Sequence, residues 1–379
     1  RIMKILYWAP ILSNIATLKA VVNSAESLMR YSNGYKVTLL NAAGEFNKFK
    51  EENIRSNIHD LNSELINKKL PGVGFFKTRV SMMYIFFKSF FSLKRYLDKE
   101  KPDFIIIHLL TSLPLVLFLL FNFKTKCILR ISGFPKMNFF RLLLWRRCSK
   151  LIYKITCPTE LTKNYLKEYN FIKSNKIVTL YDPIINVKRI TKLKKENLKK
   201  ENLKNENFYF SAGRLTHQKN FSFLIDAFMQ VKQKNRSTIP LLIAGDGEKK
   251  KELIKKIEMK KSHQVNLIGY KKNVYQYMKK STAFILTSHW EDPGFVLIEA
   301  AFCRTFIISS NCKNGPLEFI GFDSGLLYEE DNIKDFNQKF YKFNNFSNHE
   351  IKQIKLNALK KTKNFTIFRH FLNLNKILN

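Results

Sequence analysis

Two glutamates spaced by seven residues, Glu291 and Glu299, frame the segment Ser288-His289-Trp290-Glu291-Asp292-Pro293-Gly294-Phe295-Val296-Leu297-Ile298-Glu299-Ala300. The first falls in a loop and the second about two turns into the helix that follows. Glu299 sits among Val296, Leu297, Ile298, Ala300 and Ala301, where a solvated carboxylate is out of place and a bound partner is expected. Two carboxylates so placed can grip opposite parts of one polyhydroxyl ligand. The amides of Gly294, Phe295 and Val296 head the helix, ready for a phosphate. A second segment, Ser211-Ala212-Gly213-Arg214-Leu215-Thr216-His217-Gln218-Lys219-Asn220, has the outline of a diphosphate site. Gly213 permits a tight turn, and Arg214 and Lys219 place two cations at a strand-to-helix corner. Read alone, Lys219 is one lysine of many; the order Gly-Arg-Leu then Lys-Asn gives it meaning.

Three further loops are less specific. Gly245 and Gly247, in Ala244-Gly245-Asp246-Gly247-Glu248, allow a ligand ring to approach the backbone, or simply form a tight turn. Gly269-Tyr270 could touch a base. Asn314-Gly315-Pro316-Leu317-Glu318 reads as a turn into a helix, with Glu318 at a cleft rim.

Elements of alternating type must position these loops. Short apolar runs at 208–210, 241–244, 265–268, 283–286 and 306–309 read as strands, with helices over 221–234, 249–259, 274–280 and 295–302. The N-terminal half has the same rhythm: strands at 2–8, 36–40, 104–107 and 127–131, a helix through Leu28 and an aromatic, basic helix over 81–96. Residues 47–69 read as helix or loop. Alternation at this spacing predicts parallel βαβ units, whose ligands bind at the carboxyl ends of the strands. The lysine- and asparagine-rich stretch 188–207, with its repeat Lys194-Lys195-Glu196-Asn197-Leu198, reads as a solvated linker. The expected organisation is therefore α/β: one Rossmann-like domain over 1–187, the linker at 188–207, and a second over 208–362. A C-terminal helix at 363–379 is expected to pack back toward the first domain.

At 379 residues, 45% hydrophobic, the chain can fill two cores and is not disordered. Its 66 Lys+Arg against 30 Asp+Glu give a net charge of +36, part of it a general drift toward lysine. That balance favours phosphates, nucleotide ligands and anionic lipid surfaces. Five cysteines without a C-x-x-C pair argue against a disulfide framework or a zinc site and for a reducing compartment. The opening Met3–Trp8 runs straight into Ala9-Pro10 and reads as a strand, not a secretory signal. Residues 104–123 are long and apolar enough to span a bilayer, but His108, Thr111, Ser112, Pro114 and Asn122 favour a buried strand running into a buried helix.

The succession Gly-Arg-Leu…Gln-Lys-Asn, Ala-Gly-Asp-Gly, Glu-x7-Glu-Ala and Gly-Pro-x-Glu resembles the retaining family-4 glycosyltransferases of GT-B fold, specifically across 208–330 and more vaguely before it. The resemblance implies two Rossmann-like domains facing across a cleft and transfer of a sugar from a nucleotide-sugar donor with retention at the anomeric carbon. By it, Arg214 and Lys219 hold the donor diphosphate, Glu299 binds ribose hydroxyls and Glu291 contacts the donor sugar. The amides of Gly294, Phe295 and Val296 touch sugar or phosphate, and Gly213, Gly245, Gly269 and Tyr270 complete the donor site. No cofactor or metal is expected, and the chain has no Asp-x-Asp motif. Two features depart from the family: Ala9–Asn14 replaces a Gly-Gly loop, and Ser132-Gly133 stands where many members carry a histidine. His108, ending the strand 104–107, is the candidate catalytic side chain of the first domain, or else a packed histidine. Arg130 and Ser132 are weaker candidates for the acceptor side.

Residues 81–96 and 139–147, the latter with Trp145 beside Arg141, Arg146 and Arg147, have the composition of helices lying on an anionic bilayer. A lipid-linked saccharide acceptor, met peripherally at the cytoplasmic face of the cell membrane during bacterial polysaccharide or lipopolysaccharide assembly, would account for both. The alternatives are a nucleotide-sugar 2-epimerase of the same fold and a non-enzymatic polyanion-binding protein, for which no nucleic-acid motif is present.

Overall fold

The computed structural model describes residues 1–12, 16–66, 70, 75–196, 207–235, 239–291 and 293–379. The turn at 71–74, Ser13 and Asn14, Asp292 and most of the lysine–asparagine repeat lie outside the described residues. The chain divides into two compact units. The first comprises Arg1–Pro183 with Ile367–Asn379, the second Ile184–Thr366.

The first unit is built on seven strands: β1 (Met3–Trp8), β2 (Tyr35–Asn41), β3 (Asn57–Asp60), β4 (Phe104–Ile107), β5 (Lys126–Arg130), β6 (Ile152–Cys157) and β7 (Ile177–Thr179). All pair in parallel, in the order β3-β2-β1-β4-β5-β6-β7. The order reverses between β1 and β4, which places a ligand crevice at their carboxyl ends. Strand β4, Phe-Ile-Ile-Ile, is buried on both faces, as a central parallel strand must be. Ile105 and Ile107 join one core with Ile85, Leu93 and Leu97 of helix Phe75–Glu100. Phe104 and Ile106 join the other, which helix Ala16–Tyr31 and the C-terminal helix Ile367–Leu378 cover through Leu18, Phe371 and Leu374.

Residues 104–123 are β4 followed by the nine-residue helix Ser112–Leu120. No helix among the described residues is long and apolar enough to cross a membrane. The stretch 47–69 holds β3, a short strand exposed at the sheet edge whose residues Asn-Ile-His-Asp carry too little apolar pattern to read as one.

The second unit has six parallel strands: β8 (Tyr209–Ala212), β9 (Leu241–Ala244), β10 (Val265–Gly269), β11 (Phe284–Leu286), β12 (Ile307–Ser310) and β13 (Leu326–Tyr328). Their order is β10-β9-β8-β11-β12-β13, with the switch between β8 and β11. Helices Phe221–Asn235, Lys250–Met259, Tyr275–Lys280, Phe295–Phe302 and Gly315–Ile320 connect them. The stretch read as a linker begins with the helix Val187–Leu193, which belongs to this unit and is capped by Asn186.

Candidate active site

The loop after β8 and the loop after β11 leave adjacent strands at the switch point, and hydrogen bonds tie them together. Thr287 Oγ1 donates to the carbonyl of Lys219 at 2.9 Å, and the His289 amide to the carbonyl of Gln218 at 2.9 Å. Gln218 Nε2 returns a bond to the carbonyl of Trp290 at 2.9 Å. The outcome is an ion pair between two residues 72 positions apart, Lys219 Nζ and Glu291 Oε1. Glu291 is only 5% exposed, and Ser288 Oγ donates to the same carboxylate oxygen at 2.6 Å. A buried carboxylate persists only when paired and hydrogen-bonded, and both conditions are met here. Gly213 makes room for the lysine: a Cβ there would lie 3.2 Å from Lys219 Cε. Arg214, next in the chain, is exposed.

Gly294 caps helix Phe295–Phe302 with φ +87°, a left-handed conformation that favours glycine, so the helix starts directly behind Glu291. The first amides of that helix have no intrahelical acceptor, and a helix N-terminus attracts anions. Glu299 is half-buried and accepts from Tyr275 Oη at 2.8 Å. Burial first, and then the carboxylate of Glu299, hold the Tyr275 phenol above its ordinary range, so it remains a donor. The partner that Glu299's apolar sequence neighbours demand is thus supplied, in this structure, by Tyr275.

The remaining glycines separate. A Cβ at Gly245 would stand 1.9 Å from the carbonyl oxygen of Gly213, and the Leu215 amide donates to the Asp246 carbonyl at 2.9 Å. The protein's own β8 loop therefore fills the approach to Gly245, and that packing by itself requires a glycine. Gly269 is different: a side chain there would meet nothing within 4 Å, and Tyr270 beside it is exposed. These two residues offer an open surface at the end of β10.

Sequence reasoning missed Ser288, Tyr275 and a neighbouring cluster. His289 stacks on His217 (centroids 4.8 Å apart) and its Nδ1 lies 2.7 Å from Glu330 and 3.5 Å from Asp331. These three groups could together hold a cation. Glu330 and Asp331 follow β13, a three-residue strand whose Leu-Leu-Tyr is too short to stand out.

In the first unit His108 follows β4 and is buried, stacked on Tyr7 with centroids 6.0 Å apart. Burial, and then the Arg130 charge, push its pKa well below the histidine range, so the imidazole is neutral. Its Nδ1 is 3.5 Å from Ser132 Oγ. Arg130 is not an exposed acceptor-side residue. It pairs with Asp182 and donates from Nη1 to the Leu180 carbonyl at 2.6 Å. Beside it, His370 Nδ1 faces the Tyr181 carbonyl at 2.8 Å and its Nε2 faces Ser24 Oγ at 2.7 Å, which in turn meets Tyr7 Oη at 2.8 Å. The carbonyl can only accept, so Nδ1 carries the proton and Nε2 accepts from Ser24. Ser24, His108, Arg130, Asp182 and His370 line a cavity of about 10 Å³, room for about one water molecule.

A family profile, glycosyl transferases group 1, matches residues 194–360. Among relatives, a glycosyltransferase of Methanocaldococcus jannaschii is 30% identical over 62% of this chain and 61% of its own. The amylovoran biosynthesis glycosyltransferase AmsD of Erwinia amylovora is 30% identical over 64% of this chain and 68% of its own. A Campylobacter jejuni N-acetylgalactosaminyltransferase acting on a diphospho-undecaprenol-linked sugar is 37% identical over 33% of this chain and 34% of its own. The matched segments thus span about a third to two thirds of these relatives. In fold, the chain superposes on Anabaena HepE, solved with UDP and glucose, with a TM-score of 0.70 at 15% identity, over 99% of this chain and 98% of that one. The chain belongs to the glycosyl transferases group 1 family, and its two parallel-sheet units are those of the GT-B fold.

Proposed function

We propose that this protein is a retaining glycosyltransferase that moves a sugar from a nucleotide-sugar donor to a lipid-linked saccharide acceptor in bacterial surface polysaccharide assembly. The observation that carries this reading is the Lys219–Glu291 pair at the switch point of the second sheet, with Arg214 exposed beside it and a helix N-terminus directly behind. Relatives named for amylovoran synthesis and for undecaprenol-linked acceptors support the acceptor class.

In the proposed reaction the bond from the anomeric carbon to the donor diphosphate breaks. Arg214, Lys219 and the amides at Phe295 and Val296 stabilise the charge on the departing phosphate, at roughly 3 kcal/mol for each aimed donor. The acceptor oxygen bonds to the same face of the sugar, and its proton passes to a phosphate oxygen. Because the phosphate takes the proton, this scheme needs no general base, and His108, buried against Tyr7, moves no proton in it. Glu291 takes the donor sugar and Glu299 the ribose. With cationic side chains placed for the phosphates, the reaction proceeds without a metal ion, peripherally at the inner face of the cell membrane.

The test is a panel of nucleotide sugars assayed for acceptor-dependent release of nucleoside diphosphate, with NMR of the product's anomeric configuration and a parallel assay in EDTA. Release with retention, unaffected by chelator, is expected. Failure of every nucleoside diphosphate to raise the melting temperature, with no donor consumed, would sink the reading.

A further inference from the structure

Helix Phe75–Glu100 is far longer than the sheet it covers. Its 26 residues extend about 39 Å, whereas a strand of four residues extends about 13 Å. Its C-terminus lies at the amino edge of the sheet, where Lys4 and Asp103 exchange backbone and side-chain bonds beside β1. At Lys88 it is already level with the carboxyl edge: Asn62, just past the end of β3, donates to the Lys88 carbonyl, and Lys88 Nζ is 3.5 Å from Glu64. The turns before Lys88 therefore project beyond that edge. On these turns the face opposite buried Ile85 carries an exposed apolar row, Val80, Met83 and Phe87, which Phe91 continues one turn toward the sheet, each 60–69% exposed.

Helix Phe139–Cys148 begins at the same edge, because it follows the carboxyl end of β5. It packs into the same core as helix Phe75–Glu100, on the same face of the sheet. Its first residues, Phe139 and Phe140, are 73% and 79% exposed. Trp145, which the composition suggests as an interfacial anchor, is instead buried against Phe171 with centroids 5.7 Å apart.

Charge identifies the occupant. No Asp or Glu occurs between Glu64 and Asp98, nor between Asp103 and Glu160, while Lys77, Arg79, Lys88, Arg146 and Arg147 are exposed. A second copy of the chain would bring two such basic surfaces together. An acidic, apolar surface matches both features. We propose that the carboxyl edge of the first unit is a membrane-docking surface. The phenylalanines at 87, 91, 139 and 140 enter the headgroup–acyl boundary of an anionic bilayer, and the surrounding lysines and arginines meet its phosphates. This rests on the lipid-linked acceptor reading and deepens it: the edge that receives the acceptor is the edge that lies on lipid.

The test is co-sedimentation with phosphatidylglycerol–phosphatidylcholine vesicles, alongside pure phosphatidylcholine. Wild type should bind the anionic vesicles only. Phe87→Ser/Phe91→Ser and Phe139→Ser/Phe140→Ser should each lower the partition coefficient about tenfold or more at any salt. Lys77→Gln/Arg79→Gln, on the projecting turns, should lower it in low salt only, by roughly fivefold per charge. Phe139→Trp should show a blue-shifted emission when vesicles are added. Melting temperatures and donor turnover with a water-soluble acceptor analogue should stay unchanged. Wild-type vesicle binding by both serine variants would overturn the proposal, as would their conversion of a dimer to a monomer, which would make a second copy the occupant. Vesicle binding as expected without any use of nucleotide sugars would leave the surface intact and remove the glycosyltransferase reading instead.

Discussion

At the end of β5, Arg130 is 3% exposed and occupied on two sides by Asp182 and the Leu180 carbonyl. Just past the end of β8, Arg214 is exposed, and Lys219 at the far end of the loop holds a carboxylate that a second strand delivers. Both edges are switch-point edges of parallel sheets, yet in one the charges are consumed by the fold and in the other they face outward or pair across loops. What the first edge exposes is apolar and basic. A chain with a net charge of +36 therefore does not distribute cations evenly by role: burial and partner decide whether an arginine is scaffold or instrument.

The largest expected effect separates the two arginines. Arg130→Met leaves Asp182 buried and unpaired and should cost about 3–5 kcal/mol of stability, read by urea unfolding, with nucleotide affinity unchanged in the folded fraction. Arg214→Ala should do the reverse, lowering turnover about 10²-fold with the unfolding midpoint held. If both variants behaved alike, the contrast between the edges would fail. Lys219→Ala should do both, because it removes a cation from the phosphate site and strands Glu291; a fall in turnover alone would mean the pair is dispensable to folding.

The next effect is an acid sensitivity that has one source in the first unit. Burial pushes His370 down to about 3. The unfolded chain then binds more protons than the folded one between about pH 6.5 and 3, so stability present above that window is lost as pH falls through it. His370→Gln should flatten this dependence by an amount on the order of a few kcal/mol, as read by unfolding at pH 7 and pH 5. A mutant as acid-sensitive as wild type would exclude His370 as the source.

The finest distinction lies within the donor site. Glu299→Gln should weaken nucleoside diphosphate binding in calorimetry by roughly tenfold, whereas Glu291→Gln should spare it and lower transfer. Equal loss of nucleotide affinity in both would abolish the division of labour.

Alternation of apolar runs was enough to place β4, β9 and helix Phe295–Phe302 to the residue, because each is buried on most sides and bounded by polar turns. The sequence also brought Arg214, Lys219, Glu291 and Glu299 to one edge through the rule that parallel sheets gather their loops there. It did not disclose that Lys219 and Glu291 pair, that Tyr275 occupies Glu299, or that Gly245 is required by the Gly213 carbonyl. Those are contacts between segments distant in the chain, and no local pattern encodes them. Trp145 was misjudged for a related reason. Helix Phe139–Cys148 has apolar residues all round, so its composition could not say which of them face the core.

The first unit is completed by residues 367–378, whose His370, Phe371 and Leu374 close its second core over helix Ala16–Tyr31. During synthesis this segment emerges after every residue of the second unit. The first unit thus waits, with Leu18, Val21 and Ala25 uncovered, while the second, continuous from Ile184 to Thr366, can finish folding. The half of the chain made first is the half that matures last, and its exposed core in the interval is a natural substrate for a chaperone.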